Sequence, residues 1–595
     1  MIFIEESKQE YENNFPALWI EKYDWNDELS SKNSYETSMR KLKGFTEIFF
    51  LSFCKSILSG EYIKNRSKVQ TSFDDIEDLI IHEYEDPTNL EPNRINQFKV
   101  ATYDKYKKLD SDIRVCITHY RALCDLVNDK INFSSQDSLF NTFSVKGVID
   151  SSGLLIKIVQ HVIPLCFLDH VLSNEKENIK NLILRRDAIK KELEKNKKNN
   201  IIEPVFQILY EKCSFLLKKI IHFSGRSEYS LDFKKYSLTD QDIRLGILSP
   251  FDEKFNFLDQ GQYDERKISQ YQDHIQDKKE RVSDIILLMK YYQKDNGTIE
   301  QINNLLKIFE ERYRFLFSRV KERPFDNLAL RTTKNYLYNC RFSFKLGLDS
   351  YSFEELKKDM AEIRNIQVET RIKNFFPYLK AVKYLINTVS LEFEGNSNDK
   401  EVALKEKLDL LDSYMDVLKS NLDWCRNQSF YPFQLIYEEC TAFYTRLRCH
   451  IFIPSSFSRP IDYNTLYEHF SELKLEVVAL RNRLSLLKDI QVVGELKKGI
   501  AESERKYIEY MGIYTAAITF LFGTIDFFSK AKETQLLIKS SFALGFILLL
   551  FVSAIYFMRL PEIKKPSDLL QPKFIFFIVT TIAYLIILYK TSICL

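Results

Sequence analysis

Apolar and polar positions alternate along this chain with the period of a helix, and the pattern changes character only towards the C-terminus. From Thr298 to about Glu322, Ile302, Leu305, Leu306, Phe309, Tyr313, Leu316, Phe317 and Val320 recur at helical intervals. Thr298 and Gln301 hold the spacing of a capping box and Pro324 follows the end, so an amphipathic helix is expected there. Phe45 to Leu58, Val148 to Leu172 and Pro204 to Ile221 read as largely buried helices. The middle one contains Pro164 with polar Lys157, Gln160 and His161, which suits a core helix rather than a membrane span. A further helix is expected around Phe433 to Phe452. Glycine is scarce, at 15 of 595 residues, and the expected class is all-α.

Breaks in the periodicity divide the chain. His82 to Asn96 is an acidic loop containing prolines, the stretch from Ser224 to about Lys267 holds no steady period, and Glu392 to Lys400 interrupts the pattern again. The expected organisation is an N-terminal helical region over 1–223, an irregular linker over 224–297 and a central helical region over 298–462. A coiled-coil stalk over 463–509 and a membrane domain over 510–595 follow.

Heptads carry the stalk expectation. Leu404, Leu408, Leu411, Met415, Leu418 and Leu422 alternate four and three apart, and the alternation returns at Leu466, Phe470, Leu473, Val477, Leu480, Leu484 and Leu487. The register breaks at Gln491 to Gly494 and resumes through Leu496, Ile500, Tyr507 and Tyr510. Such a seam serves either a homo-oligomeric stalk or an intramolecular bundle in which the two heptad segments pack on each other.

Three apolar runs then crowd the last residues: 510–528, 540–558 and 574–590. Nineteen residues of helix reach about 28 Å, close to the hydrocarbon thickness of a bilayer. Lys497, Lys498, Arg505 and Lys506 precede the first run, Lys530, Lys532 and Lys539 follow it, and Arg559, Lys564, Lys565 and Lys573 lie between the second and third. Three spans place both four-charge groups inside, as positive-inside topology requires. A large N-terminal part in the cytoplasm and anchoring in the inner (plasma) membrane are therefore expected, with the lipid bilayer as a partner. A buried amphipathic helix lying on the membrane is the alternative for the first run. Gly512, Thr515, Ala516, Thr519, Gly523, Gly545, Ser553, Thr580 and Thr581 are the small or polar residues expected to let span helices approach closely, and Asp526 is the acidic residue of the runs.

Charge and chemistry narrow the rest. Lys plus Arg (85) nearly cancels Asp plus Glu (83), so no global field draws the chain to nucleic acid, and nucleic acid is not an expected partner. Arg185 to Lys198 is a local basic run read as a solvated helix end. Ten cysteines are scattered without a CxxC pair, which fits a reducing compartment, and MIFIEESKQE is too acidic for a secretory signal. No phosphate-binding loop, dinucleotide fingerprint, zincin or nucleophile-elbow motif occurs, so a non-enzymatic protein without cofactor is expected. His161, Cys166 and His170, and the adjacent Cys449 and His450, are read as core residues rather than metal ligands.

Arg114-Val-Cys-Ile-Thr-His119 has the R-x4-H spacing that resembles the active-site signature of HEPN ribonucleases, which implies Arg114 and His119 as alternative catalytic residues. Val115 departs from the polar residue usual after the arginine. The layout from Tyr463 to Leu595, with heptads followed by ERKYIEYMGIYTAAITFLFG and closely spaced apolar runs, resembles bacterial anti-phage defence proteins of the abortive-infection type. That resemblance implies a cytosolic helical sensor, open to a protein partner, controlling membrane-perturbing helices. A membrane tether or scaffold for a cytosolic partner is the alternative.

Overall fold

A computed structural model describes residues 2–15, 22–78, 93–132, 154–172, 176–224, 264–318, 322–394, 401–530, 534–558, 578–579, 581–587 and 589–590. The fold is all-α. It divides into two compact units, Met1–Leu480 and Arg481–Leu595.

In the first unit α1 (Phe3–Asn14), α2 (Glu28–Ser59), α3 (Glu61–Lys64), α4 (Arg66–Asp78) and α5 (Arg94–Asn132) form one packed group. Helix α1 lies against α2 and α4, and α2 against α5. Phe45, Phe49, Phe50 and Phe53 fill the space between them, all buried. Helices α6 (Leu154–His170), α7 (Lys176–Lys195) and α8 (Glu203–Ser224) close this half, with α6 packing on α2, α5 and α8. Pro164 lies within α6, whose Val162, Leu165 and Cys166 are buried, consistent with a core helix.

The part of 224–297 that is described is not irregular; residues 225–263 lie outside the described residues. It holds α9 (Glu265–Gln276) and α10 (Val282–Tyr291), and Val282, Ile285, Ile286, Leu287, Leu288 and Met289 of α10 are wholly buried. Ser283 and Asp284 of α10 are buried beside the apolar run Ile285–Met289, so burial follows no amphipathic period and the helix does not announce itself in the sequence. Helix α11 (Ile299–Ser318) follows, and the capping box forms: Thr298 N–H donates to Gln301 Oε1 (2.9 Å) and Gln301 N–H to Thr298 Oγ1 (3.4 Å). Pro324 does not merely follow a helix; it occupies the first turn of α12 (Pro324–Leu346), where its missing N–H costs nothing. Helices α13 (Phe353–Thr370), α14 (Phe376–Glu394) and α15 (Glu401–Asn427) complete the centre, α14 pairing with α15. The heptad residues Leu404, Leu408, Leu411, Met415, Leu418 and Leu422 are all buried.

The helix expected from Phe433 to Phe452 is instead a β-hairpin preceded by a short 3-10 turn (Tyr437–Cys440). Strand β1 (Thr441–Tyr444) pairs antiparallel with β2 (Cys449–Phe452), Tyr444 opposite Cys449. Aromatic and β-branched residues between Pro432 and Pro454 favour extended backbone, and Arg448, at φ 52°, closes the loop.

Helix α16 runs from Tyr463 to Lys530, and α17 from Thr534 to Met558. Residues 581–587 are also helical.

Candidate functional site

Two places concentrate chemistry that ordinary core packing does not require. One, in the first unit, is the seat of the hairpin. The other, in the second unit, is the face shared by α16 and α17.

The hairpin segment is bound from both halves of the first unit. Phe452 rests on the turn between α2 and α3: a Cβ on Gly60 would lie 2.6 Å from the Phe452 ring, and Gly60 has φ 76°, so both the backbone and the contact demand glycine. The same ring meets Tyr62, His170, Phe325 and Tyr437 at centroid distances of 6.4, 5.8, 5.3 and 4.9 Å. From the centre, Tyr437 N–H donates to Asp326 Oδ1 (2.7 Å), and the Glu439 carboxylate accepts from the Val282 and Ser283 amides (2.8 and 3.0 Å), capping α10. Burial pushes the Asp326 carboxyl up to about 6, against the Tyr437 hydrogen bond.

Beneath the hairpin lies a buried ionic cluster. Lys212 Nζ is 2.9 Å from Asp169 Oδ2, both side chains almost wholly inaccessible, and Lys212 also donates to Phe452 O at 3.1 Å. Asp169 Oδ1 accepts from the Ser455 amide at 3.1 Å and from its hydroxyl. Lys219 Nζ donates to Ser455 O, and Lys130 Nζ to His170 O and Ser429 O. Three buried lysines thus converge on the backbone of residues 429–455. Burial lowers the Lys130 ammonium to about 7, Asp169 offsetting part of the fall. His170, 2.9 Å from the Tyr62 hydroxyl, is held well below its ordinary value by burial, then by Lys130 and Lys212. Cys166 faces Lys212 while His170 faces Tyr62, and His450 is exposed where Cys449 is buried, so these pairs point to separate partners. The segment then delivers the chain to α16, whose first residue, Tyr463, donates its hydroxyl to Cys425 O (3.0 Å).

Arg114 and His119 both lie on α5. Arg114 Nε donates to Asp110 Oδ2 (2.9 Å), and Asp110 also accepts from the Tyr11 hydroxyl (2.8 Å), so the arginine helps fasten α1 to α5. His119 is half-buried and burial lowers its pKa. Five residues of helix set the two side chains roughly 140° apart.

In the second unit, the described residues of 510–525 include no buried one. Among the described residues α16 is the one helix long and apolar enough to cross a membrane, and its apolar window is 0% buried; Leu537–Leu549 is a shorter apolar stretch. Thr515 and Thr519 donate to the carbonyls of Met511 and Thr515 (2.8 Å each), satisfying their hydroxyls within the helix.

Gly512, Thr515, Ala516, Thr519 and Gly523 share one face of α16, which opens onto a groove of about 900 Å³ walled opposite by Leu544, Ile547, Leu548 and Phe551 of α17. Among the described residues, nothing approaches within 4 Å of the Cβ position of Gly512 or Gly523. Gly545, by contrast, lies directly under the Tyr584 hydroxyl, which donates to Phe542 O at 2.7 Å, with the Tyr584 ring stacked on Phe546. Thr581 is half-buried. The side chains of Asp526 and Ser553, and the whole of Thr580, lie outside the described residues, as do 559–577 with the basic loop used for topology.

Of the second heptad series, Leu473, Val477, Leu480 and Leu484 are buried within the single chain, Leu466 and Phe470 are half-buried, and Leu487 is exposed. No motif marks the ionic cluster in the sequence, since lysines such as Lys130, Lys212 and Lys219 are rarely fully buried. No protein-family model, curated protein or solved structure matches the chain.

Proposed function

We propose that this chain is a membrane-anchored effector of bacterial anti-phage defence. Its helical unit of residues 1–480 is the cytosolic sensor, and the helices of 481–595 perturb the inner membrane when the sensor is triggered. The observation that carries this reading is the open groove between α16 and α17. In a bilayer, stripes of small residues stabilise helix pairs by letting backbones approach, yet among the described residues none meets Gly512 or Gly523 across the groove. The pair therefore has a closer packing available than the one it adopts, which is the property of a two-state element rather than of a plain anchor. Support also comes from α16 itself, a single helix whose first turn is fastened by Tyr463 and whose later turns hold the apolar window.

Gly523→Leu tests this, because among the described residues its side chain meets no neighbour in the open arrangement but blocks the closer one. Cells in which the protein is active should lose membrane potential, and Gly523→Leu at equal membrane abundance should preserve it. Arg114→Ala with His119→Ala should leave depolarisation unchanged. RNA cleavage that disappears with the double substitution would establish the ribonuclease instead, and an intact potential during full activity would establish a tether.

A further inference from the structure

Beyond Leu484 a heptad pattern recurs on α16, in a shifted register, on exposed residues. Leu486, Val493, Ile500 and Tyr507 are spaced seven apart, Leu496 follows Val493 by three, and their exposures are 60, 49, 57, 68 and 59% respectively. Leu473, Val477, Leu480 and Leu484, just upstream, are 5 to 8% exposed. Glu495, Lys498, Glu502 and Arg505 occupy the other side of the helix and are exposed as well. The segment is amphipathic with its apolar side bare.

We infer that this apolar face is a self-association surface, covered by the same face of a second copy of this chain in a parallel helix pair. A strict seven-residue repeat is the period of helices that wind round each other, whereas a helix lying on a fixed surface follows 3.6. The five side chains offer on the order of 600 Å² a copy, so about 1,200 Å² in a pair, the lower end of what a stable complex needs. Asp489 and Ser503 fall on inward positions of the repeat, which weakens the pair in free solution. Anchoring compensates: apolar helix continues from Tyr510, so copies in one bilayer stand parallel at one height, their stripes in register and at high effective concentration. This last step rests on the membrane reading above.

Cysteine cross-linking of the full chain in native membranes decides it. The nine described cysteines are buried, and Cys594→Ser removes the remaining one. Val493→Cys and Ile500→Cys should each give, with a short bis-maleimide, a product of twice the 70.6 kDa chain mass, at least fivefold more than Lys498→Cys or Glu502→Cys. Equal yield at all four positions, no product, or a product of any other mass overturns the inference, the last by naming a different protein as occupant. Alkaline extraction of the same samples separates the two readings. Pairing at Val493 and Ile500 in extractable chain upholds the surface and removes the anchor, while membrane-resident chain without pairing removes the surface and leaves the anchor. As a second readout, Ile500→Asp should abolish the doubled mass in detergent or nanodisc without changing helix content.

Discussion

Helix α15 and the segment 486–507 of α16 both repeat apolar residues every seven positions, α15 filling the intervening positions with apolar residues as well and 486–507 only at Leu496, and they meet opposite fates. In α15 every such residue from Leu404 to Leu422 is at most 6% exposed; from Leu486 to Tyr507 the corresponding positions are about half to two-thirds exposed. The difference lies in what stands next in the chain. Helix α14 brings Tyr378, Val382, Leu385 and Val389, itself a heptad-like series and all buried, back against α15 across a short connection. The 486–507 segment is followed by residues apolar on most sides, which offer no matching stripe. A heptad pattern states that a face must be covered; whether the cover is in cis or in trans depends on a complementary face elsewhere in the sequence.

Placing one carboxylate in each helix gives the largest expected effect and breaks the comparison if it fails. Leu411→Asp buries an unpaired charge at a fully inaccessible position and should destabilise the first unit by about 5 kcal/mol or more, seen as a collapse of the unfolding midpoint in denaturant. Ile500→Asp should shift that midpoint by no more than about 0.5 kcal/mol, as exposed substitutions do. Comparable losses from both would mean that 486–507 is covered within its own chain.

The polar interior sharpens the contrast, since the first unit also neutralises within itself charges that a sequence assigns to the surface. Asp169→Asn leaves Lys212 buried without its counter-ion and should cost about 3–5 kcal/mol. Combining it with Lys212→Met should recover most of that loss, because a buried pair replaced by apolar volume is often neutral. If the double substitution is no better than the single one, the cluster serves to hold Phe452 O through Lys212 and Ser455 through Asp169 rather than to balance charge.

How far the sequence discloses this molecule follows from the range of its interactions. Helix α11 is legible because its cap and its stripe are local: Thr298, Gln301 and Ile302 to Phe309 are enough. The hairpin is not, because four-residue strands have little intrinsic preference and are fixed by the distant Gly60, Asp326, Asp169 and Lys212. The run from Arg185 to Lys198 is partly legible. Its later lysines at 190, 191, 197 and 198 are exposed, but Arg186 is buried, donating to Ser214 Oγ and Tyr210 Oη at 3.0 Å each. Of the candidate site, the small residues of α16 were legible as one helical face, and the groove they line was not, since it depends on where α17 lies.

The smallest effect is a pH dependence that should belong to the first unit and be absent from the exposed segment. Burial holds Lys130 at about 7 in the folded chain, below the 10.5 of an exposed lysine, so between those values the unfolded chain binds one proton more and stability rises with pH. The other groups of the cluster act elsewhere: His170 is depressed and contributes only below 6.5, while the raised Cys166, Tyr62 and Tyr431 matter near and above 9 and 10. Lys380, held at about 8 by burial, adds a smaller rise as the pH nears that value. From pH 7 to 8 most of the gain should therefore be due to Lys130, whose share amounts to about 1 kcal/mol. Denaturant unfolding of the full chain at the two pH values should show it, and Lys130→Met should flatten the slope in that interval while Ile500→Asp leaves it intact. A slope that survives Lys130→Met undiminished would mean that the ammonium is solvated, and that the hairpin is seated more loosely on α5 and α6 than its hydrogen bonds to His170 O and Ser429 O imply.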